Sequence, residues 1–275
     1  MFQPVIKWSG SKRHQADNII SYFPRHIDTY YEPFCGGASV ARALLESKEI
    51  TVDKFILSDL NEDLINLWWE IVLNPQGVSE HYRTLWTEMN SVSDKSYKRS
   101  YFEHIRERYN KHRNPHDFMF IMRTTTNGMP RYNQQGDFNN SFHITRDGIQ
   151  PDKLEKIIFE WHEILTKNHV EFRHCDYDDL TIKDNDFCYF DPPYANTKGM
   201  YFGGFDNNRF FDWLRTLPCH YCLSYDGISG EVNNTYDVPK DLYEKHEYLL
   251  SGNSSFKRVI GKSRDSIVYE SLYVK

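Results

Sequence analysis

Residues 191–194 form a short acidic and aromatic corner, Asp191-Pro192-Pro193-Tyr194, directly after the apolar run Phe187–Phe190. Short continuous apolar runs are typical of parallel strands that are buried on both faces. Because neither proline can donate a hydrogen bond to a sheet, we expect the strand to end at Asp191. The carboxylate, the carbonyl of Pro192 and the tyrosine ring would then face one cavity, at the sheet edge where α/β proteins bind ligands. An ordinary turn is the alternative interpretation, since Asp-Pro is common in turns.

A second candidate site lies in the sequence YYEPFCGGAS at 30–39. Gly36 and Gly37 would let the backbone approach a ligand closely, as in nucleotide-type pockets between the first strand and the first helix of an α/β sheet. The spacing matches neither G-x-G-x-x-G nor a P-loop. Asp59 stands about twenty residues further on, where an acid would bind ribose hydroxyls. The alternative role for Asp59 is that of N-cap of the following helix.

Strand and helix signals alternate around both motifs, which predicts an α/β fold with a mostly parallel sheet. The predicted strands are Tyr30–Phe34, Lys54–Ser58, Val170–His174, Asp186–Phe190, Tyr221–Ser224 and a closing strand or hairpin at Ser266–Val274. The predicted helices between them are Ser39–Glu49, with Ser39 as N-cap, Glu62–Leu73 and Asp152–Lys167. Such a sheet would bring the two motifs to its carboxyl edge.

The pattern changes between residues 75 and 149. Helical periodicity predicts helices at Val78–Asn90, Tyr97–Tyr109 and Phe118–Arg123. A polar stretch rich in Asn and Gly follows, which predicts a hairpin loop with a tight turn at Asn127-Gly128. We therefore expect residues 75–149 to be an insertion into a domain formed by residues 1–74 and 150–275.

The composition is that of a globular protein, with 39% hydrophobic and 26% charged residues among 275. Neither a membrane-spanning run nor a signal peptide is recognised, and we expect a cytoplasmic protein without membrane contact. The five cysteines are odd in number and scattered, which argues against a disulfide framework. Cys219 and Cys222 form a CxxC, but no second ligand pair stands at zinc-site spacing, so no metal is predicted.

Charge is distributed unevenly along the chain. Residues 95–131 contain nine Lys and Arg against three acids, a balance of +6, although the whole chain carries -6. Such asymmetry suggests a basic segment that faces a polyanion on an otherwise acidic protein. A solvated helix face is the alternative.

Five motifs in this order resemble those of the Dam-type (D12 class, alpha group) DNA adenine-N6 methyltransferases: KWSGSK at 7–12, EPFCGGAS at 32–39, SDLN at 58–61, NGMPRYNQQGDFN at 127–139 and DPPY at 191–194. The resemblance spans nearly the whole chain and is far more specific than DPPY alone. It implies an S-adenosylmethionine-dependent enzyme with a Rossmann-like core on a mixed, mostly parallel seven-stranded sheet. It also implies that residues 75–149 are a mainly helical target-recognition domain. Ser11 and Ala38 stand where the family commonly has glycine.

The resemblance implies roles for individual residues. Asp59 would bind the ribose of the cofactor, and Asp176 with Tyr177 would contact its adenine. The full cofactor set is Trp8, Lys12, Phe34, Gly36, Gly37, Asp59, Asp176, Tyr177 and Asp191, and the catalytic corner is Asp191, Pro192, Pro193 and Tyr194.

The reaction accounts for the composition of this corner. The exocyclic amine of adenine is a poor nucleophile because its lone pair is delocalised into the ring. Two acceptors, Asp191 and the Pro192 carbonyl, would favour the pyramidal, nucleophilic geometry, and alignment with an activated methyl group would supply much of the rest. The base must be flipped out of the duplex, and Tyr194, with Tyr201 or Phe202, offers a stacking surface.

The partner implied is double-stranded DNA, bound by a monomer. Side chains of the basic segment are candidates for phosphate contacts, and Arg131 and Asn133 for contacts to base edges. The Arg-Tyr-Asn sequence at 131–133 resembles that of Dam enzymes, which makes GATC the leading target. A further basic stretch, residues 257–264, could contact the DNA backbone or be a solvated loop. The DNA-binding candidates are Lys95, Lys98, Arg99, Arg123, Asn127, Arg131 and Asn133.

Two other functions remain to be distinguished. Cytosine-N4 methyltransferases more often carry Ser before PPY, and protein-glutamine methyltransferases carry Asn, so Asp191 favours adenine. A catalytically silent DNA-binding protein on the same scaffold is disfavoured by the intact DPPY corner and the paired glycines.

Overall fold

The computed structural model describes residues 2–194, 205–253 and 267–275. Their elements, in chain order, are α1 (Ala16–Ile20), β1 (His26–Glu32), α2 (Ser39–Glu46), β2 (Thr51–Asp59), α3 (Glu62–Leu73), α4 (Pro75–Met89), α5 (Lys95–His112), α6 (Pro115–Thr124), α7 (Pro151–Lys167), β3 (Glu171–His174), β4 (Phe187–Phe190), α8 (Asn207–Thr216), β5 (His220–Ser229), β6 (Val232–Asn233), β7 (Lys245–Asn253) and β8 (Ile267–Val274).

These elements form two compact units. Among the described residues, one unit comprises 2–10 and 59–174 and is called the helical unit here. The other comprises 11–58, 175–194, 205–253 and 267–275 and is called the sheet unit. The helical unit thus extends on both sides of the predicted insertion, residues 75–149, because α3 and α7 pack with the inserted helices.

The sheet unit contains a mixed sheet with the strand order β2-β1-β4-β5-β8-β7. The first four of these strands are mutually parallel, whereas β8 pairs antiparallel with both β5 and β7. The predicted α/β fold with a mixed, mostly parallel sheet is confirmed. The described chain has eight strands rather than seven, because β5 also turns back through Gly230 to pair with the two-residue β6.

The order and bounds of these elements follow from burial. All four residues of β4 are buried, as expected of a strand covered on both faces, and the strand ends directly before Asp191.

The helix α2 begins at Ser39, not after it. Its N-cap is Ala38 in the left-handed conformation (φ 50°), so the predicted capping role of Ser39 is wrong.

The helical unit packs α3, α4, α6 and α7 around a core that contains Trp68 and Trp161. The Trp68 ring stacks on Phe172 of β3 with ring centroids 5.0 Å apart. The N-cap of α3 is Asn61, whose side chain accepts from the Leu64 N–H at 3.0 Å. Asp59 instead accepts from the Asn61 N–H at 3.0 Å, so it is not the cap of this helix.

The polar stretch of the helical unit forms the predicted hairpin loop with a different turn. Tyr132 and Phe138 form an antiparallel bridge, and the chain turns between them at residues 133–136. Asn133 organises this turn, since its side-chain oxygen accepts from the N–H groups of Gln135 and Asp137. Asn127 also has positive φ (60°) but lies in a 3₁₀ segment before the hairpin.

In the described part of the chain, none of the helices combines the length and apolar character needed to cross a membrane. Tyr201, Phe202 and the basic stretch 257–264 lie outside the described residues.

Candidate active site

The two sequence motifs of the sheet unit meet at one edge of the sheet. Strands β1 and β4 are parallel neighbours, with Tyr30 opposite Phe187 and Tyr31 opposite Cys188. Because this register continues along both strands, the turn after β1 and the DPPY corner after β4 leave the sheet at the same level. This is the carboxyl edge, where ligands of α/β sheets bind.

A cluster of four polar side chains surrounds the corner. The Lys12 ammonium donates to Asp191 Oδ2 at 2.6 Å and lies 3.4 Å from Glu270 Oε2. The Tyr194 hydroxyl donates to Asp191 Oδ1 at 3.0 Å, and its oxygen lies 3.4 Å from Glu270 Oε2. The structure thus brings together three predicted site residues and one, Glu270 of β8, that the sequence analysis did not identify.

The carboxylate of Asp191 is largely withdrawn from solvent, with 18% of its side chain exposed. Burial raises the pKa of Asp191, the Lys12 ammonium opposes this rise, and the Glu270 carboxylate adds to it. The carboxylate of Asp191 is therefore a strong hydrogen-bond acceptor, and its surroundings disfavour a charge that has no partner. Such a group can bind the N–H groups of a ligand.

The ring of Tyr194 is in contact with two neighbours. It stacks on Tyr225 with ring centroids 5.9 Å apart, and the Lys12 ammonium lies 5.1 Å from its centroid. Pro192 is buried and Pro193 is half-buried, and each proline ring restricts the backbone of the corner. The ring can provide a stacking surface only where Lys12 does not cover it.

The turn after β1 has the backbone shape that close ligand approach requires. Gly36 is buried and has φ of 47°, in the left-handed region that favours glycine. The turn is held by the Cys35 N–H, which donates to the Ser58 carbonyl at 2.9 Å. The hydroxyl of Ser58 is buried, and the described residues provide no hydrogen-bond partner for it. Gly37 is half-buried and precedes Ala38.

The substitutions Ser11 and Ala38 are accommodated locally. The hydroxyls of Ser11 and Ser39 lie 2.8 Å apart, so Ser11 joins the residues before α1 to the start of α2. Ala38 adopts φ of 50°, a conformation that glycine takes more readily.

An aromatic wall lies in the same unit. The rings of Phe34 and Tyr177 have centroids 5.7 Å apart, and Tyr177 is buried against Trp213. Asp176 caps the short turn at Tyr177–Asp179 and lies 3.3 Å from the Arg209 guanidinium. The carboxylate of Asp176 is thus used in the cap and in the contact with Arg209. The apolar surface here is formed by the rings of Phe34 and Tyr177.

Glu32 is a buried carboxyl group beside the corner. It accepts from the Tyr30 hydroxyl at 2.7 Å and from the Ala41 N–H of α2 at 2.8 Å. Burial raises the pKa of Glu32 to about 8, although these hydrogen bonds oppose the rise. Glu32 therefore connects β1 to α2. The group is neutral at low pH, whereas at high pH it is a buried charge that destabilises the fold.

This raised pKa predicts a pH-dependent stability. Between its ordinary value of 4.5 and about 8, Glu32 keeps its proton in the folded state and releases it on unfolding. The free energy of unfolding should therefore fall as pH rises through this window, on the order of 1.4 kcal/mol per pH unit at most. In Glu32→Gln, which cannot ionise, chemical denaturation should show a flatter decline from pH 5 to 8. Parallel pH curves for wild type, Glu32→Gln and the exposed control Glu231→Gln would contradict this.

Trp8 and Asp59 belong to the helical unit. Trp8 is half-buried in the N-terminal segment, whose next residue, Ser9, donates its N–H to the Gly128 carbonyl at 3.1 Å. Asp59 is half-buried at the end of β2. Their predicted contacts to a cofactor remain predictions.

Much of the predicted basic segment is used inside the helical unit. The Lys98 ammonium is buried and donates to Asn90 at 2.7 Å and to Asp147 at 2.8 Å. The Arg123 guanidinium donates to the carbonyls of Pro4 and Val5. Both residues were predicted to contact DNA, but these contacts occupy their cationic groups, and each has a structural role here.

Other candidates of this segment are accessible. Lys95 and Arg99 are exposed one helical turn apart on α5, and Arg131 is exposed on the hairpin. Within the described part of the chain, none of these three side chains has a hydrogen-bond or ion-pair partner. Asn127 is exposed, whereas the side-chain oxygen of Asn133 is engaged in the hairpin turn.

A half-buried network holds the hairpin of the helical unit to α3. The Tyr132 hydroxyl donates to Asp63 at 3.1 Å and lies 3.4 Å from the Asn61 side-chain nitrogen. Arg113 donates to the same carboxylate at 3.4 Å and to the Gly136 carbonyl at 2.6 Å. Because Tyr132 lies between Arg131 and Asn133, this network sets the position of both.

Replacing Tyr132 by phenylalanine should leave the ring packed but remove the hydroxyl. We expect the free energy of unfolding to fall by about 1–2 kcal/mol, because the half-buried Asp63 carboxylate loses a hydrogen-bond donor. Urea denaturation of the variant, with Tyr22→Phe as a control at a half-buried tyrosine, measures this. A Tyr132→Phe protein as stable as wild type would show that the hydroxyl does not hold the hairpin.

The residue that sequence reasoning missed has a recognisable signal. In β8, Val268, Glu270 and Leu272 share one face, and this face is less exposed than that of Ile267 and Tyr269. A charged residue on the buried face of a strand needs a partner, so Glu270 at this position could have indicated a polar site. Its partner Lys12 lies more than 250 residues away in the chain, which no local pattern reveals.

Comparisons with known proteins identify the family of this chain. The model of the family described as D12 class N6 adenine-specific DNA methyltransferase matches residues 8–251. The type II methyltransferase M.MjaIII of Methanocaldococcus jannaschii is 29% identical over 94% of this chain and 91% of its own length. The DNA adenine methylase of Haemophilus influenzae is 28% identical over 76% of this chain and 70% of its own length.

Among solved structures, an rRNA methyltransferase of Streptomyces viridochromogenes covers 94% of this chain and 80% of its own, with TM-score 0.38 and 13% identity. This likeness is too low to support a conclusion. The family match, in contrast, spans the turn after β1, the hairpin and the DPPY corner. The chain therefore belongs to the D12 class N6 adenine-specific DNA methyltransferase family.

Proposed function

We propose that this enzyme transfers a methyl group from S-adenosylmethionine to the N6 amine of an adenine flipped out of duplex DNA, with GATC as the leading target. The observation that carries the proposal is the contact between Lys12 and Asp191. The acid at the end of β4 already holds a nitrogen donor at 2.6 Å, in a largely buried setting at the ligand-binding edge of the sheet. An adenine amine would need the same acceptor.

The role of the corner is to bind and orient that amine. Asp191 accepts one N–H and the Pro192 carbonyl accepts the other, which favours the pyramidal form of the nitrogen. The two acceptors also fix the direction of its lone pair, and such positioning is a major source of rate in a displacement reaction. The amine requires no covalent intermediate with the protein.

Several features of the sheet unit fit S-adenosylmethionine, whose sulfonium charge supplies an activated methyl group. The positive φ of Gly36 opens the turn after β1 to close approach by a ligand. The buried hydroxyl of Ser58, which has no hydrogen-bond partner among the described residues, offers a polar contact next to this turn. The half-buried ring of Phe34, packed against Tyr177, offers an apolar surface for an adenine. We assign Lys12, Gly37 and Asp176 to the same pocket on the motif resemblance, which also predicts that Trp8 and Asp59 contact the cofactor.

The target base must leave the duplex because its amine is otherwise paired. Extrusion costs a few kcal/mol, which stacking on an aromatic ring can offset. Tyr194 lies within hydrogen-bond distance of Asp191 and is therefore placed to stack on a base whose amine the carboxylate binds.

For DNA binding we propose a division of labour within the helical unit. Lys95 and Arg99 contact phosphates, which contribute affinity without reading the sequence. Arg131, with Asn127 and Asn133 nearby in the chain, reads base edges. Curated relatives include proteins named DNA adenine methylases, and the chain is proposed to act on duplex DNA as a monomer.

The proposal is tested by incubating the protein with plasmid DNA and S-adenosylmethionine that carries a labelled methyl group, followed by methylation-sensitive sequencing. We expect label in DNA and N6-methyladenine within one short sequence, GATC first among the candidates. Modification at another adenine-containing sequence would replace the proposed target only. Absence of label from DNA, or label on cytosine N4, would refute the proposed reaction.

A further inference from the structure

The site contains a carboxylate that the proposed reaction does not yet use. Glu270 of β8 presents Oε2 to both the Lys12 ammonium and the Tyr194 hydroxyl, each at 3.4 Å. Its other oxygen accepts from the Ser251 hydroxyl at 2.9 Å, which fixes the orientation of the carboxylate. Glu270 thus lies beside the catalytic corner with one oxygen directed at both donors to Asp191.

Lys12 occupies the contacts that a target adenine would need. Its ammonium donates to Asp191 Oδ2, the proposed acceptor of the amine, and lies 5.1 Å from the centroid of Tyr194, the proposed stacking ring. The Tyr194 hydroxyl meanwhile donates to Oδ1 of the same carboxylate. A base cannot bind this acceptor until at least one internal donor gives way.

A buried ammonium cannot simply lose its partner, because an unpaired charge in such a setting is strongly unfavourable. Lys12 has only 4% of its side chain exposed, so solvent offers little compensation. Glu270 is the second anionic group within 4 Å of this ammonium in the described chain. The Lys12 ammonium lies 3.4 Å from Glu270 Oε2. A small movement that shortens this distance to that of an ordinary ion pair is enough to exchange Asp191 for Glu270 as its partner.

We infer that Lys12 is a place-holder for the target amine, and that Glu270 is the positioning residue that accepts the Lys12 ammonium when the base enters the corner. This inference rests on the proposed function. The exchange involves no covalent step: one hydrogen bond from Lys12 to Asp191 is replaced by one to Glu270, and the adenine amine then donates to Asp191.

The test is a double-mutant cycle with Glu270→Gln, Lys12→Gln and the double variant, measured as kcat/KM for a duplex with the target sequence. Glu270→Gln alone should lose roughly tenfold or more, mainly through a higher KM for DNA, because the ammonium stays on Asp191. In the Lys12→Gln background the same change should cost less than about twofold, because no ammonium remains to be received. Glu247→Gln, an acid of the neighbouring strand β7, is the matched control and should equal wild type.

A merely structural role for Glu270 would cost the same in both backgrounds, and additive losses would overturn the inference. Because Lys12→Gln can also weaken cofactor binding, the cycle is repeated on the equilibrium affinity for the duplex with S-adenosylhomocysteine, which needs no turnover. Additive changes in this affinity would also contradict the inference. A wild-type protein that transfers no methyl group refutes the proposed function itself, whereas an active wild type with an additive cycle refutes only the exchange.

Discussion

Replacement of Asp191 by alanine is expected to reduce methyl transfer by at least about 10²–10³-fold, with little change in cofactor affinity. The magnitude is that of removing one preorganised polar contact to a reacting group. Asp191→Asn should also be strongly impaired, because its amide presents one acceptor and one donor where the amine needs acceptors. Initial rates with saturating S-adenosylmethionine, and calorimetric binding of S-adenosylhomocysteine, measure the two quantities separately.

The matched control is Asp184→Ala, an exposed acid that precedes β4 and should behave as wild type. Circular dichroism verifies the fold of Asp191→Ala, in which Glu270 remains as a partner for Lys12. A variant that retained full activity would show that this carboxylate does not bind the reacting amine. Equal losses of transfer and of cofactor affinity would assign Asp191 to the cofactor instead.

The same residue predicts the acid limb of the pH profile. Burial raises the pKa of Asp191, so the acceptor is protonated at a higher pH than an ordinary aspartate, and activity should be lost as pH falls through that raised value.

Arg131→Ala is expected to lower kcat/KM on the target sequence by roughly 10–100-fold, while affinity for unrelated duplex changes little. The estimate corresponds to one bidentate contact to a base edge. Arg131 is exposed on a hairpin whose position is held by Tyr132 and Asp63, so truncation of its side chain should leave the hairpin in place. Transfer rates on the target and on single-base variants of it measure the loss of discrimination.

Arg99→Ala is the matched comparison, because it removes the same charge from α5. It should weaken all duplexes alike and reduce the salt dependence of binding by about one counterion. Lys98 is unsuitable for this purpose, since its ammonium is buried and paired with Asp147. If both arginine variants lost affinity uniformly across sequences, the assignment of Arg131 to base reading would be wrong.

Sequence reasoning succeeds where the signal is local. The run Phe187–Phe190 is covered on both faces, and β4 ends where proline prevents further pairing. Helix α3 has its predicted bounds, Glu62–Leu73. The parallel part of the sheet follows from the alternation of such segments.

Sequence reasoning fails where long-range contacts decide. A count of charges cannot distinguish Arg99, which is exposed, from Arg123, whose guanidinium binds the N-terminal segment. Asn127-Gly128 has the composition of a hairpin turn, but the bridge between Tyr132 and Phe138 places the turn at 133–136. At both places tertiary packing overrides a local preference.

The residues of the candidate site also differ in whether a local signal or a long-range contact identifies them. Asp191 and Gly36 were found because each stands in a motif beside a strand end. Glu270 was not, because a single acid in a strand acquires meaning only when the sheet brings it to Lys12. The residues that complete a polar site are often of this kind, since their partners are distant in sequence.

The most direct test of the central claim is a structure of the enzyme with its target duplex and S-adenosylhomocysteine. We predict that an adenine lies outside the helix with N6 about 2.8–3.2 Å from a carboxylate oxygen of Asp191. The amine should also contact the carbonyl of Pro192, with the Lys12 ammonium on Glu270. An adenine that remains stacked in the duplex, or a carboxylate of Asp191 that stays on Lys12 with no base within reach, would contradict the account.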